Sequence, residues 1–235
     1  MALPLETTMD SVSIVLVGSF NPTIFQPMWF AANELIARAD AENAEVSVIH
    51  PDITQFRARQ MNFVVEHGRF FVTCETIHRN LVRDLVLSCF GQILVHTPIK
   101  MMGLNRELHF SCGSEAQRSK FGFEIAPLQP WGEWGKEIHD AYSTDKAHGG
   151  MMRVSMRQVP RLDKREGYLQ TDIQPSGVLQ RDGIHILVND HFQFEPQEKH
   201  PALRAMETLE QIWEEDAEKA EKIISHIMQR ATGKG

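Results

Sequence analysis

Apolar residues recur every three or four positions at Met206, Leu209, Trp213, Ala217, Ala220, Ile224 and Ile227, the repeat that brings side chains onto one stripe of a helix. This spacing predicts a long amphipathic helix from about Pro201 to Arg230. Glu207, Glu210, Glu214 and Glu215 precede Lys219, Lys222 and Arg230, so acids lead and bases trail, the order that the helix dipole favours. Pro201 suits a first turn, and Gly233 lies just past the end. At about 1.5 Å per residue such a helix would run roughly 40 Å, and a stripe of that length needs a wide apolar surface to cover it.

Upstream the period changes. Ser13 to Val17 is a continuous β-favouring run, expected to be a central strand that stops at Gly18. Asn21-Pro22 marks a turn, and Pro27 opens a helix through Met28, Trp29, Ala31, Ala32, Leu35 and Ile36. Glu45 to His50 alternates as a strand closed by Pro51. Asn62–Glu66 and Arg69–Cys74 flank His67-Gly68, a two-residue hairpin turn. Ile77, Leu81, Leu85, Val86, Cys89, Phe90 and Ile93 predict a largely apolar helix from about Thr76 to Val95. A strand is expected at Arg106 to Cys112 and another near Phe121, followed by a long irregular connection from Pro127 to His148.

Three strands then follow, at Met151–Val159, Tyr168–Gln174 and Ile184–Phe194, in the order of an antiparallel meander. In the third, Ile184, Ile186, Val188, Phe192 and Phe194 share one face with Asp190, while His185, Leu187, Asn189, His191 and Gln193 share the other. The meander needs a cover, and the terminal helix comes next in the chain. The expected fold is α+β: a single domain over residues 1–235 with a curved, mainly antiparallel sheet packed on two or three helices, a helix-grip-like arrangement closed by the long C-terminal helix.

Composition narrows the function. With 235 residues, 42% of them hydrophobic, the chain can bury a substantial core. Its formal charge is -7, and the basic residues are scattered rather than gathered into a stripe, which argues against a nucleic-acid partner. Cys74, Cys89 and Cys112 lack CxxC spacing, so no disulfide framework is expected and a reducing cytoplasm fits. Val12–Val17 is too short for a membrane span or a signal core, so no membrane partner is expected.

Candidate chemistry is sparse. Val17-Gly18-Ser19-Phe20-Asn21-Pro22, between strand and helix, resembles the opening of the nucleotidylyltransferase superfamily, where a Gly-x-Phe-x-Pro turn leads to a His-x-Gly-His motif. Here Thr23 to Pro27 supply no histidine to stabilise charge on a transferred phosphate. Asn189 and His191 form a second candidate. His185 shares their face and Asp190 points away, so a metal site there would need another ligand such as His109. Cys112, three residues after His109, reads as a buried thiol rather than a nucleophile. Trp131 and Trp134, in a Gly- and Pro-rich stretch, are the better candidates for a binding surface.

The order of these signals resembles an uncharacterised, sporadically distributed bacterial protein family. The shared features are Asn21-Pro22 near the N-terminus, the Pro-x-x-x-Trp segment Pro127-Leu128-Gln129-Pro130-Trp131, and the closing helix after Pro201. The resemblance implies a bacterial, non-secreted protein of an accessory or defence-type system, and carries no catalytic residues with it. The expected function is a non-enzymatic protein-binding or assembly component, engaging another subunit or copies of itself through Trp131, Trp134, Asn189, His191 and Asn21, with no cofactor or metal assigned. The alternative is an enzyme acting on a small-molecule or nucleotide substrate through the Gly18 turn and the His191 region.

Overall fold

The computed structural model describes residues 7–143, 150–179, 181–195 and 201–231. Its frame is a nine-stranded sheet: β1 (Thr7–Gly18), β2 (Glu45–Ile49), β3 (Ile53–Ala58), β4 (Met61–Glu66), β5 (Arg69–Glu75), β6 (Ile99–Ser111), β7 (Val154–Gln158), β8 (Gly167–Pro175) and β9 (Gly183–Gln193). The spatial order is β2-β3-β4-β5-β1-β6-β9-β8-β7, with every neighbouring pair antiparallel. The helices are α1 (Pro27–Ala32), α2 (Arg38–Glu42), α3 (Arg79–Ser88), α4 (Glu115–Ile125), α5 (Gly132–Ser143) and α6 (Leu203–Ala231).

That order contains a topological repeat with no repeat in the sequence. Each half starts with a long strand, β1 or β6. Each continues through a helical excursion and a meander whose last strand returns to pair with the first, and each ends in a helix, α3 or α6. The starting strands β1 and β6 lie side by side at the centre, from Met9 opposite His109 to Val17 opposite Met101.

Alternation along these strands separates two faces. Val12, Ile14 and Leu16 of β1, with Met102, Leu104, Arg106, Leu108 and Phe110 of β6, turn to the helices and are buried. In the first half they meet Phe56, Phe63, Phe70 and Phe90, with Val82, Leu85 and Val86 of α3. The rings pack edge to face or stacked, Phe70 and Phe90 at 5.0 Å and Phe56 and Phe63 at 4.5 Å between centroids. In the second half Leu108 and Phe110 meet Phe121 of α4, Ile173, Ile184, Ile186 and Val188.

The terminal helix joins the two. At 29 residues it is about 43 Å long by the rise of about 1.5 Å per residue. Met206, Leu209, Ile212 and Trp213 belong to the first core, and Ala220, Ile224 and Met228 to the second. Helix α6 therefore spans both halves rather than capping only the meander before it. Trp213 donates its indole N–H to Asn80 Oδ1 at 3.0 Å, which ties α6 to α3.

Several elements depart from the sequence reading. Strand β6 begins seven residues before Arg106, because Met101, Met102 and Gly103, poor strand formers alone, sit between two long partners. Strand β3 was not anticipated, although Thr54, Phe56 and Ala58 alternate inward. The expected strand near Phe121 is helix α4. Ser114 caps it by accepting from the Gln117 N–H at 3.2 Å, the chemistry of a Ser-x-x-Gln box. The irregular connection expected from Pro127 to His148 is a 3-10 turn (Gln129–Trp131) and helix α5, and its remainder at 144–148 lies outside the described residues. The first helix ends at Ala32, where Glu34 takes a positive φ of 59°. The helix expected over Thr76–Val95 is broken into a 3-10 turn, α3 and a π turn at Cys89–Ile93.

Truncating Phe90 to alanine removes a fully buried ring from the first core and should lower the unfolding free energy by about 3–5 kcal/mol in urea denaturation. The exposed Trp134→Ala should change it by no more than about 0.5 kcal/mol.

Candidate functional site

The face of the sheet away from the helices carries the residues that could meet a ligand. Gly103 of β6 has no side chain, and opens a shallow cleft of about 320 Å³ among Val15, Asn105, Asn189 and His191. Asn189 lies opposite Asn105 across β6 and β9, and its Oδ1 is buried without a hydrogen-bond partner. Asn105 is instead drawn to Ser13, donating to Oγ at 3.2 Å. His191 stacks on Tyr168 at 4.5 Å, and Arg157 covers Tyr168 at 4.0 Å from the ring centroid. Burial and the nearby Arg157 and Arg161 charges hold the His191 imidazole below its ordinary pKa.

Further along this face Glu107, His109 and His185 converge. His109 and His185 are directly paired across β6 and β9, and their rings stack at 4.4 Å. Glu107 Oε1 is 3.3 Å from His109 Nε2 and 3.1 Å from His185 Nε2, and the three ligand atoms are mutually placed to hold a cation. Burial is the main cause lowering the His109 pKa; the close contact with His185 is the main cause lowering that of Glu107. Alternation along β9 alone groups His185 with His191 and leaves His109 as a remote third ligand. Strand register brings His109 to His185 and leaves His191 with Tyr168.

The sequence-derived residues do not form one site. Asn189 and His191 do share the open face, whereas Asn21 does not line its cleft. Asn21 Oδ1 accepts from the Thr23 N–H at 3.2 Å and the Thr23 hydroxyl at 2.7 Å, capping a 3-10 turn. The backbone N–H groups of Gly18, Ser19 and Phe20 donate to the carbonyls of Gly68, Pro98 and His67, so none is left for a phosphate. A Cβ at Gly18 would lie 2.1 Å from the Pro98 oxygen, which accounts for the glycine by close backbone approach alone. Trp131 and Trp134 stand apart on the 3-10 turn and α5, 56% and 57% exposed and packed edge to face at 5.4 Å. All three cysteines are free and buried, with Cys74 and Cys112 pushed up to about 11 by burial, which leaves them protonated and poorly nucleophilic.

Beneath the sheet, charged groups fill the seam between the two cores. Arg106, on the helix side of β6, makes a two-pronged pair with Asp10 at 2.8 and 3.1 Å and also bonds Glu221 of α6. Burial alone would lower its pKa, but the two carboxylates hold it above its ordinary value. Asp190 is gripped by Arg161, which is held in turn by Asp163 at 2.7 Å. Beside them a cleft of about 220 Å³ opens among Thr76, Arg79, Arg106, Trp213, Asp216 and Glu221. Burial, and then the neighbouring Asp190 carboxylate, raise the Asp216 pKa well above the carboxylate range.

One edge of the sheet is chemically unlike the other. Strand β2 carries a register irregularity between Val46 and Val48, a device that discourages further pairing. Strand β7 pairs regularly with β8 from Val154 to Gln158 and, among the described residues, has no strand on its outer side. Around it Met152, Met156, Val159 and Leu162 project into solvent, Met156 70% and Leu162 85% exposed. The local cations do not guard the edge. Arg153 reaches back to Asp172 at 2.9 Å, and Arg157 to Gln170 at 2.7 Å.

A raised folded-state pKa on an acid means that Asp216 favours folding only below its unfolded pKa, and opposes it increasingly as pH rises toward the folded value. The Asp216→Asn variant, which does not ionise, should gain in melting temperature over the wild type as pH is raised from about 4. A gap that stays constant between pH 4 and about 8 would show that Asp216 has an ordinary pKa. No protein-family model and no curated protein matches this chain.

Proposed function

We propose that this chain is a non-enzymatic binding and assembly protein that captures an extended, apolar segment of a partner protein along the outer edge of β7. The observation that carries this reading is the regular edge of a nine-stranded sheet, unpaired among the described residues, flanked by four exposed large apolar side chains and with its arginines bonded back to β8. Backbone N–H and C=O groups on such an edge accept a further strand, and alternate side chains supply selectivity. A second copy of the chain presents the same edge, so antiparallel β7–β7 pairing about a two-fold axis is one form the assembly can take.

Other features support binding over catalysis. The thiols are buried and protonated, and the Gly18 turn has its donors satisfied by the chain itself. Trp131 and Trp134 add a second exposed aromatic surface of the kind that anchors interfaces. Among the described residues no helix is long and apolar enough to cross a membrane. Three free cysteines fit a reducing cytoplasm.

The paired substitution Met156→Lys/Leu162→Lys places charge at the edge without touching either core. Sedimentation velocity of the wild type, alone and with the partner it retains from its host, should show association that the paired variant loses at unchanged melting temperature. A wild type that stays monomeric and retains nothing, or a variant that associates equally well, would refute the role given to β7.

A further inference from the structure

We propose that Glu107, His109 and His185 form a binding site for a first-row divalent transition metal ion, of the Zn²⁺ class, on the open face of the sheet. This site is independent of the β7 edge.

The backbone fixes the arrangement. Glu107 and His109 are two residues apart on β6 and so project from the same face, and His109 is the direct cross-strand partner of His185. No loop has to move to assemble the set. The Nε2-to-Oε1 separations of 3.3 and 3.1 Å match the edges of a coordination shell. Ligands bound at about 2.0–2.2 Å lie about 2.8–3.1 Å from one another in octahedral geometry and about 3.3–3.6 Å in tetrahedral geometry.

The imidazoles are also braced as metal ligands are. His109 Nδ1 is 2.8 Å from Ser176 Oγ, and His185 Nδ1 is 3.2 Å from the terminal amide of Gln174. Each ring is thus held through its far nitrogen, leaving both Nε2 atoms within 3.3 Å of Glu107 Oε1, and a tilt of the stacked His185 ring turns its Nε2 onto a shared ion. Hydroxyl rotation and the two-faced amide let Ser176 and Gln174 accept an Nδ1–H, the tautomer that frees Nε2 for a metal. His185 Nε2 is buried and makes no hydrogen bond, although the Glu107 carboxylate is close by. A cation between them satisfies both atoms at once.

The ligand set selects the ion. Two imidazole nitrogens and one carboxylate suit Zn²⁺, Co²⁺, Ni²⁺ or Fe²⁺, whereas Mg²⁺ and Ca²⁺ prefer all-oxygen shells. Glu107 is partly exposed, its side chain retaining 44% of its accessible surface, so the ion has a route in and its remaining positions face water. Three protein ligands with open positions are also what a site needs to take an exchangeable fourth ligand.

The test uses the full-length chain without a histidine tag, stripped with a chelator and titrated with Zn²⁺ by calorimetry. Co²⁺ serves as the spectroscopic probe of coordination. One Zn²⁺ per chain should bind, Co²⁺ should develop visible d–d bands, and Mg²⁺ should give no binding heat. His185→Gln, which keeps a polar group opposite His109, should weaken Zn²⁺ binding by more than about tenfold. Glu107→Gln, at the more exposed ligand, should do the same and serves if the histidine variant fails to fold by circular dichroism. His50, Asp52 and His67 form a separate surface group, with contacts of 3.3 Å, and are the obvious source of adventitious heat. Absence of Zn²⁺ binding, or binding that the Glu107 and His185 substitutions leave unchanged, overturns the proposal.

Discussion

Arg106 is a cation that the fold has placed where a hydrophobic side chain would be expected, on the helix side of a central strand and 8% exposed. A buried guanidinium is tolerated only when its charge and donors are matched. Asp10 comes from β1, Glu221 from α6 and Arg106 itself from β6, so the requirement can be met only with three distant parts of the chain in register. Withdrawing both carboxylates would leave an uncompensated buried charge, a loss on the order of 3–5 kcal/mol. The apolar cores on either side make no such demand for position, since hydrophobic contact is far less directional. The ion pairs fix where α6 crosses the sheet, and the cores supply most of the stabilisation.

Much else follows from that crossing. Helices α1, α3, α4 and α6 pack on the buried face of the sheet, and the opposite face carries Asn105, Glu107, His109, His185, Asn189 and His191. A sheet of nine strands that does not close leaves two edges. One is interrupted by an irregular pairing in β2, and the other, β7, is regular and apolar in its surroundings. The same architecture thus produces the polar face and the adhesive rim.

The class of fold was legible because its signals are local and periodic. Seven positions at helical spacing located α6, His67-Gly68 located the hairpin of β4 and β5, and alternation located the closing meander. Phe121 lies in a helix and not a strand because the cap formed by Ser114 and Gln117 outweighs the strand preference of the aromatic residues that follow. Strand β6 was cut short because Met102 and Gly103 are strand residues only by virtue of their neighbours. The candidate metal site was half legible. Parity put His185 on the polar face, but pairing it with His109 depends on cross-strand register between segments more than seventy residues apart, which no spacing rule supplies. Arg106 was invisible for the same reason, since its partners lie in β1 and α6.

If the ion-paired seam and α6 bind the two halves into one unit, the halves cannot unfold separately. Differential scanning calorimetry of the full chain tests this most directly. The account predicts a single endotherm whose calorimetric and van't Hoff enthalpies agree. Two resolved endotherms, or a van't Hoff enthalpy well below the calorimetric one, would show that each core stands alone and that Arg106, Asp10 and Glu221 do not unite them.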